Sequence, residues 1–286
     1  MKYDSHFKYM SLTLIWVWLG IFALLSFLLV LGVSFLEHDA THIVIPKFTW
    51  SSYTFLFHPI LLKIFGYSFV VAITATASCL LIGYPFAYFL SQIHIRYKSL
   101  LMLFLVIPFW TSSLVRSYAV MAILKTKGIL NTILLSLGLI HEPLQLLFTN
   151  TAVTIGLVYN LLPFMVLPLY ANFERLDERL LEAAEDLGAS RFMTLYRILI
   201  PLTKPGIYAG IMMVFHPSMT LFYIPDLLGG ARSVLLGNLI ENQFLFANNW
   251  PVGSAISVLL TFVMGVMLLV YWRNSQRSDN KQQVLL

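Results

Sequence analysis

Charge is what this sequence has least of. Only 11% of its 286 residues are Asp, Glu, Lys or Arg, against about 25% in an ordinary soluble domain. With 59% hydrophobic residues and a mean hydropathy of +0.81, the chain has far more apolar surface than one core can hide. A water-soluble globule is excluded, and lipid is the expected solvent. Cysteine is nearly missing as well. The single Cys79 rules out an internal disulfide and, set in an apolar run, reads as an inert small hydrophobe.

Catalytic signatures are also missing. The seven histidines (6, 38, 42, 58, 94, 141 and 216) include no HExxH pair. There is no Walker A stretch, no GxGxxG and no GxSxG. In HDATH, His38 and His42 stand at i,i+4 beside Asp39, but the segment lacks the protease glutamate and runs into IVIP, so a solvated loop is expected. The net charge of +5 comes without a basic stripe interleaved with aromatics, which argues against nucleic acid as a partner. An enzyme would need a catalytic cluster, and none is visible. An ion-coupled secondary transporter would need intramembrane ionisable residues, and the apolar runs hold almost none beyond Arg116 and His216.

What is present is length of apolar run. A bilayer span needs ~20 mostly apolar residues. Six stretches qualify: 12–36, 64–90, 100–124, 151–170, 205–222 and 252–272. The fifth is the weakest, because His216-Pro217 interrupts it. The first is too long for a signal-peptide core and reads as a retained anchor. Twelve basic residues (2, 8, 96, 98, 175, 179, 191, 197, 204, 273, 277 and 281) fall on the side of both termini. Six (47, 63, 116, 125, 127 and 232) fall on the other. The positive-inside bias therefore puts both termini in the cytoplasm. Outside, FTWSSYTF (48–55) looks strand-like, LNTILLSLGLI (130–140) reads as a short interfacial helix, and 223–251 is a long connection.

One segment breaks the apolar pattern. Nine of the thirty-one charged residues lie between Glu174 and Arg191. LDERLLEAAEDL is built of strong helix formers and ends at Gly188, a residue suited to a helix C-cap. Ser190 is placed to cap a second helix running to about Ile200, and Pro201 and Pro205 lead into span five. Leu180, Ala183, Ala184 and Leu187 fall on one face of the first helix. The pair reads either as a solvated helical hairpin or as a knob for another protein's groove.

The offsets Glu182-Ala183-Ala184, Gly188 and Pro201 follow EAA-x3-G-x9-I-x-L-P, with Ile200 in place of the usual Leu. In this the chain resembles the permeases of ATP-binding-cassette importers. IGYPFAYFL, VIPFWTSSLVRSYA, GLVYNLLPFMVLPLY, RILIPLTKPGI and FYIPDLLGGA extend the likeness over about residues 20–273, and they resemble the polyamine-importing (spermidine/putrescine) members of that family. The resemblance implies an all-α, six-span type I importer permease in a bacterial inner membrane. It implies a cytoplasmic coupling loop (173–201), in which Glu182, Ala183, Ala184, Leu187, Gly188 and Pro201 dock on a separate ATPase. It also implies a second related permease as heterodimer partner, two ATP-binding subunits that hold ATP and Mg, and a periplasmic or extracellular substrate-binding protein. No cofactor is expected in this chain itself.

A polycation path wants aromatic faces and carboxylates. At ~1.5 Å per residue, Trp110 lies near the middle of the third span, where Trp is out of place. It either packs between helices or lines a cavity. Tyr223, Asp226 and Glu241 are the other candidates, although Asp226 could equally cap the turn before Gly229. Arg116, a cation near a cation path, is expected to face the interface or to pair with a carboxylate. Pro217 is expected to kink or unwind span five.

Overall fold

The computed structural model describes residues 5–39, 43–177, 179–230 and 233–284, with side chains from residue 9 to 273 apart from that of Ile95. His42, Glu178, Arg232 and Lys2, all used above, lie outside the described residues. The chain forms two units: residues 1–63 with 239–263, and residues 64–238 with 264–286.

In the first unit, helix α1 (Ser5–Leu19) passes through a π-helical turn at Gly20–Leu24 into α2 (Leu25–Ser34). The 26-residue apolar stretch Tyr9–Ser34 has none of its most apolar window buried, as expected of a helix whose surroundings are lipid or another chain. Strand β1 (Leu36–Glu37) then pairs antiparallel with β2 (Ile45–Phe48). The strand expected over 48–55 ends at its first residue, and Ser51–Leu56 is helix α3. The Thr49 hydroxyl accepts the Ser51 amide at 3.2 Å, which turns the chain out of the extended run. Phe35 packs its ring against Phe48, Trp50 and Tyr53. The Tyr53 hydroxyl sits 2.8 Å from that of Ser34.

The second unit holds the core. Its elements are most of α4 (Pro59–Gln92), α5 (Ile95–Val106), α6 (Ser113–Leu124), α7 (Ile129–Ser136) and α8 (Asn150–Phe173). They are followed by α9 (Arg179–Asp186), α10 (Arg191–Thr194), α11 (Ile200–Leu202), α12 (Lys204–Thr220) and the start of α13 (Leu236–Glu241). The last helix, α14 (Trp250–Val284), is shared between the units. Helix α8 is the centre of the core: Leu157, Met165, Val166 and Leu169 are fully buried. Small residues let α12 approach it closely, as is usual between membrane helices. A Cβ on Gly210 would lie 2.5 Å from Met165 Sδ, and one on Gly206 2.7 Å from Asn172 Cβ.

Among the described residues, five helical stretches are long and apolar enough to cross a bilayer: Tyr9–Ser34, Pro59–Gln92, Ser113–Ser136, Asn150–Phe173 and Trp250–Arg273. A sixth arises if the bent pair Arg191–Leu202 and Lys204–Thr220, which meet at 70°, is one span. Residues 100–124 do not form the continuous helix expected of them. Pro108 stands in a 3-10 turn (Ile107–Trp110), Thr111 and Ser112 are extended, and the apolar helix restarts at Ser113. Pro217, in contrast, leaves α12 unbroken to Thr220. The Ser218 and Thr220 hydroxyls donate back to the carbonyls of Val214 (2.7 Å) and His216 (3.2 Å). Hydroxyls of this kind help a membrane helix tolerate proline.

Candidate functional site: a coupling loop and a path

The charged loop folds as two helices at an angle. Helix α9 ends two residues short of Gly188, which takes φ +75°. That left-handed conformation is the one glycine adopts without cost at a helix C-cap. The Ala189 amide closes the motif by donating to the Ala184 carbonyl at 3.0 Å. Ser190 Oγ accepts the Met193 amide at 3.3 Å and so starts α10. That helix continues through a π-helical turn at Leu195–Leu199 into α11.

The face of α9 differs from the one the spacing implied. Ala184 (5% exposed) and Leu181 turn inward against the bundle, whereas Leu180, Ala183 and Leu187 lie bare. Leu187 is 88% exposed, and Phe192, Met193 and Tyr196 are exposed just beyond the corner. The four-residue face thus divides: Ala184 is buried within its own chain, and the rest presents apolar side chains outward. Glu182, Gly188 and Pro201 are exposed too.

Both ends of the loop are tied to the bundle. At its start, the Lys98 ammonium on α5 forms an ion pair with Glu174, directly after α8, and lies 5.9 Å over the Tyr170 ring. This ammonium, and then the Tyr170 hydroxyl, hold the Glu174 carboxyl below the usual carboxylate range. At the loop's end, buried Thr203 occupies the 70° corner before α12. Its hydroxyl contacts Tyr84 on α4 at 3.0 Å and donates to the Leu199 carbonyl at 2.7 Å. These short contacts join the two ends of the loop to α5, α8, α4 and α12. An apolar groove of about 1020 Å³, bounded by Leu80, Tyr84, Leu181, Leu195 and Ile207, lies beside these ties.

The path candidates are scattered. Trp110 ends the 3-10 turn and is 80% exposed, so it does not pack within this chain. Tyr223 stacks edge-on with Phe222. Asp226 lies in a π-helical turn (Pro225–Gly229) and accepts from the Asn238 amide. Partial burial raises its carboxyl above the usual range, and the Asn238 bond offsets part of that rise. Asn238 also donates to the Phe222 carbonyl at 2.7 Å and receives the Leu235 amide at 3.1 Å. Glu241 is half-buried on α13. Arg116 forms no ion pair with a carboxylate among the described residues, against expectation. It lies buried with its guanidinium 5.6 Å from the Phe109 ring.

Sequence reasoning missed Lys98, Glu174, Tyr84, Thr203 and Asn238. Nothing in their spacing marks them, because each partner comes from a distant part of the chain. No group of three or more His, Cys, Asp or Glu that could hold a metal occurs among the described residues.

Several helices long and apolar enough to span a bilayer, and one tethered helical loop with a bare apolar face, mark the class as a membrane transport subunit. The chain belongs to the family described as binding-protein-dependent transport system inner membrane component, whose model matches residues 80–277. It is 49% identical over 281 residues to the spermidine/putrescine transport system permease protein PotB of Salmonella typhimurium strain SL1344, covering 98% of each chain. The PotB proteins of Escherichia coli K12 (50%, covering 93% of this chain and 97% of that one) and Haemophilus influenzae Rd (46%, 98% of each) are similar relatives. Among solved structures, a bacterial ABC transporter that imports alginate matches with TM-score 0.71 at 18% identity, over 95% of each chain. That likeness shows the fold. The protein is a multi-pass, inner-membrane permease subunit of an ATP-binding-cassette importer. It is a transporter subunit and not an enzyme; ATP hydrolysis belongs to a separate subunit.

Proposed function

We propose that this permease carries polyamines, spermidine and putrescine, inward across the membrane. The observation that supports this most is the 46–50% identity, over nearly the whole chain, to permeases named for those two substrates. An exposed Trp110 and the Asp226 carboxylate suit the cargo chemically, since ammonium groups exchange hydration for aromatic faces and carboxylates.

In this reading the chain pairs with a second, related permease and stands on two ATPase subunits. Those subunits supply the ATP and Mg, and both termini of this chain are cytoplasmic. Leu180, Ala183 and Leu187, with Glu182 and Gly188 beside them, enter a cleft of one ATPase. When ATP closes the ATPase pair, α9 moves as a rigid body. The ties Lys98–Glu174 and Tyr84–Thr203 pass that motion to the spans, and Pro201 stiffens the exit. The cavity then faces the binding protein and receives cargo. Coupling of this kind needs contacts that differ between two states.

The test is uptake of radiolabelled spermidine and putrescine by cells lacking this gene, with and without its restoration. Loss of saturable uptake on deletion and its return on restoration are expected. Unchanged polyamine uptake in the deletion strain, with other systems removed, would overturn the substrate assignment.

A further inference from the structure

The apolar groove beside the ties of the coupling loop lies within the second unit and has two walls. One is a single face of α4. Ala77, Leu80, Leu81, Tyr84, Pro85 and Tyr88 line it, at the helical spacing i, i+3, i+4, i+7, i+8 and i+11. From Ala77 to Tyr88 this face runs ~17 Å at the α-helical rise, close to the ~15 Å of hydrocarbon in one leaflet of a bilayer. The other wall is Leu195, Leu199 and Ile207, from the π-helical turn after α10 and the first turn of α12. Leu81 is 78% exposed, so the groove is open at the depth of the span.

The groove changes character where it meets the loop. Glu185, near the end of α9, and Arg191, the first residue of α10, line that end. Both are exposed. The ion pairs among the described residues, Lys47–Glu37 and Lys98–Glu174, include neither, so an acid and a base flank the opening without neutralising each other. Glu185 follows Leu181 by four residues and shares its side of α9, apart from the bare Leu180, Ala183 and Leu187. The opening is thus distinct from the face that docks on the ATPase in the reading above.

We propose that this groove is a binding site for a zwitterionic phospholipid whose head carries a primary amine, of the phosphatidylethanolamine class. One acyl chain lies along the α4 stripe, where burial of apolar surface favours hydrocarbon over water. The phosphate meets Arg191, since a guanidinium offers a phosphate two parallel hydrogen bonds. The ammonium, two carbons further along the head, donates to Glu185. Tyr88, four residues before the end of α4, stands at the headgroup level that tyrosine favours. The lipid therefore belongs to the leaflet on the side of the loop. That this is the inner leaflet rests on the cytoplasmic placement proposed above; the binding itself does not.

Native mass spectrometry of the purified whole complex tests the site, with assembly read in the same spectra. The complex is delipidated and titrated with dipalmitoyl phosphatidylethanolamine, phosphatidylcholine and phosphatidylglycerol. The second lipid has no ammonium N–H to give Glu185, and the third has no cation, so the first is expected to bind tightest. Arg191→Gln should weaken its binding by about tenfold, the scale of one hydrogen-bonded charge. Glu185→Gln should narrow the preference over phosphatidylcholine. Ala77→Trp, which narrows the deep end of the groove and stays apolar, should weaken all three. A diazirine on the acyl chain should label the segments around Leu81 and Ile207. Equal binding of the three lipids by unmodified and variant complexes would overturn the site as ordinary boundary lipid. Absence of label from α4 in the intact complex would overturn it in favour of the second permease as occupant. A complex that binds the lipid with this preference but takes up no polyamine would refute the substrate reading and leave the site standing.

Discussion

Replacing Gly188 separates the shape of the coupling loop from what it touches. At φ +75° an added side chain is strained, yet a Cβ there would meet nothing within 4 Å. Gly188→Ala therefore carries only the cost of the left-handed conformation, ~1–2 kcal/mol. That lowers the population of the capped geometry by roughly 5- to 30-fold. Gly188→Asn should lose less, because asparagine tolerates this region. Gly188→Asp matches Asn in shape and adds a charge, so any difference between the two is due to the docked partner: a carboxylate buried unpaired in a cleft is strongly unfavourable. The expected order of uptake is Gly, then Asn, then Ala, with Asp at background. Membrane insertion, followed by quantitative blotting, should be equal in all four. Uptake by the Asp variant equal to that of Asn would refute docking at Gly188. Equal uptake by Ala and Gly would refute the role of the left-handed cap.

Trp110→Ala should leave assembly intact, since so exposed a ring contributes little packing within the chain. It should cut polyamine uptake by the worth of one cation–π contact, ~0.5–2 kcal/mol or roughly 2- to 30-fold; unchanged uptake by an assembled complex would remove it from the path. Glu174 makes stability acid-sensitive in a defined direction. Its carboxyl is held below its ordinary 4.5 by Lys98 and Tyr170, so its contribution is present above that value and fades as pH falls through the lower folded one. Melting temperatures of the purified complex should fall more steeply below about pH 4.5 than those of Glu174→Gln, and parallel curves would discount the tie.

The sequence alone determined the solvent and the motor. Eleven per cent charge and long apolar runs admit only a membrane protein, because burial of so much apolar surface needs lipid. The EAA offsets, local in the chain, marked the loop, its glycine cap and its serine cap, since each depends on a few consecutive residues. Periodicity could not say which alanine of the loop faces inward, because a helix face is assigned by what packs on it. Nor could it place the break at Ile107–Trp110 or keep α12 continuous through Pro217, where a proline is tolerated or not according to neighbouring hydroxyls and helices. The ties Lys98–Glu174 and Tyr84–Thr203 and the Asn238 clasp on Asp226 join residues 76, 119 and 12 positions apart, and Arg116 Nε and Nη1 are buried with no hydrogen-bond partner among the described residues. Only the tertiary structure decides such pairs, because side chains far apart in sequence acquire partners when helices pack, and a buried charge shows its need only once water is excluded.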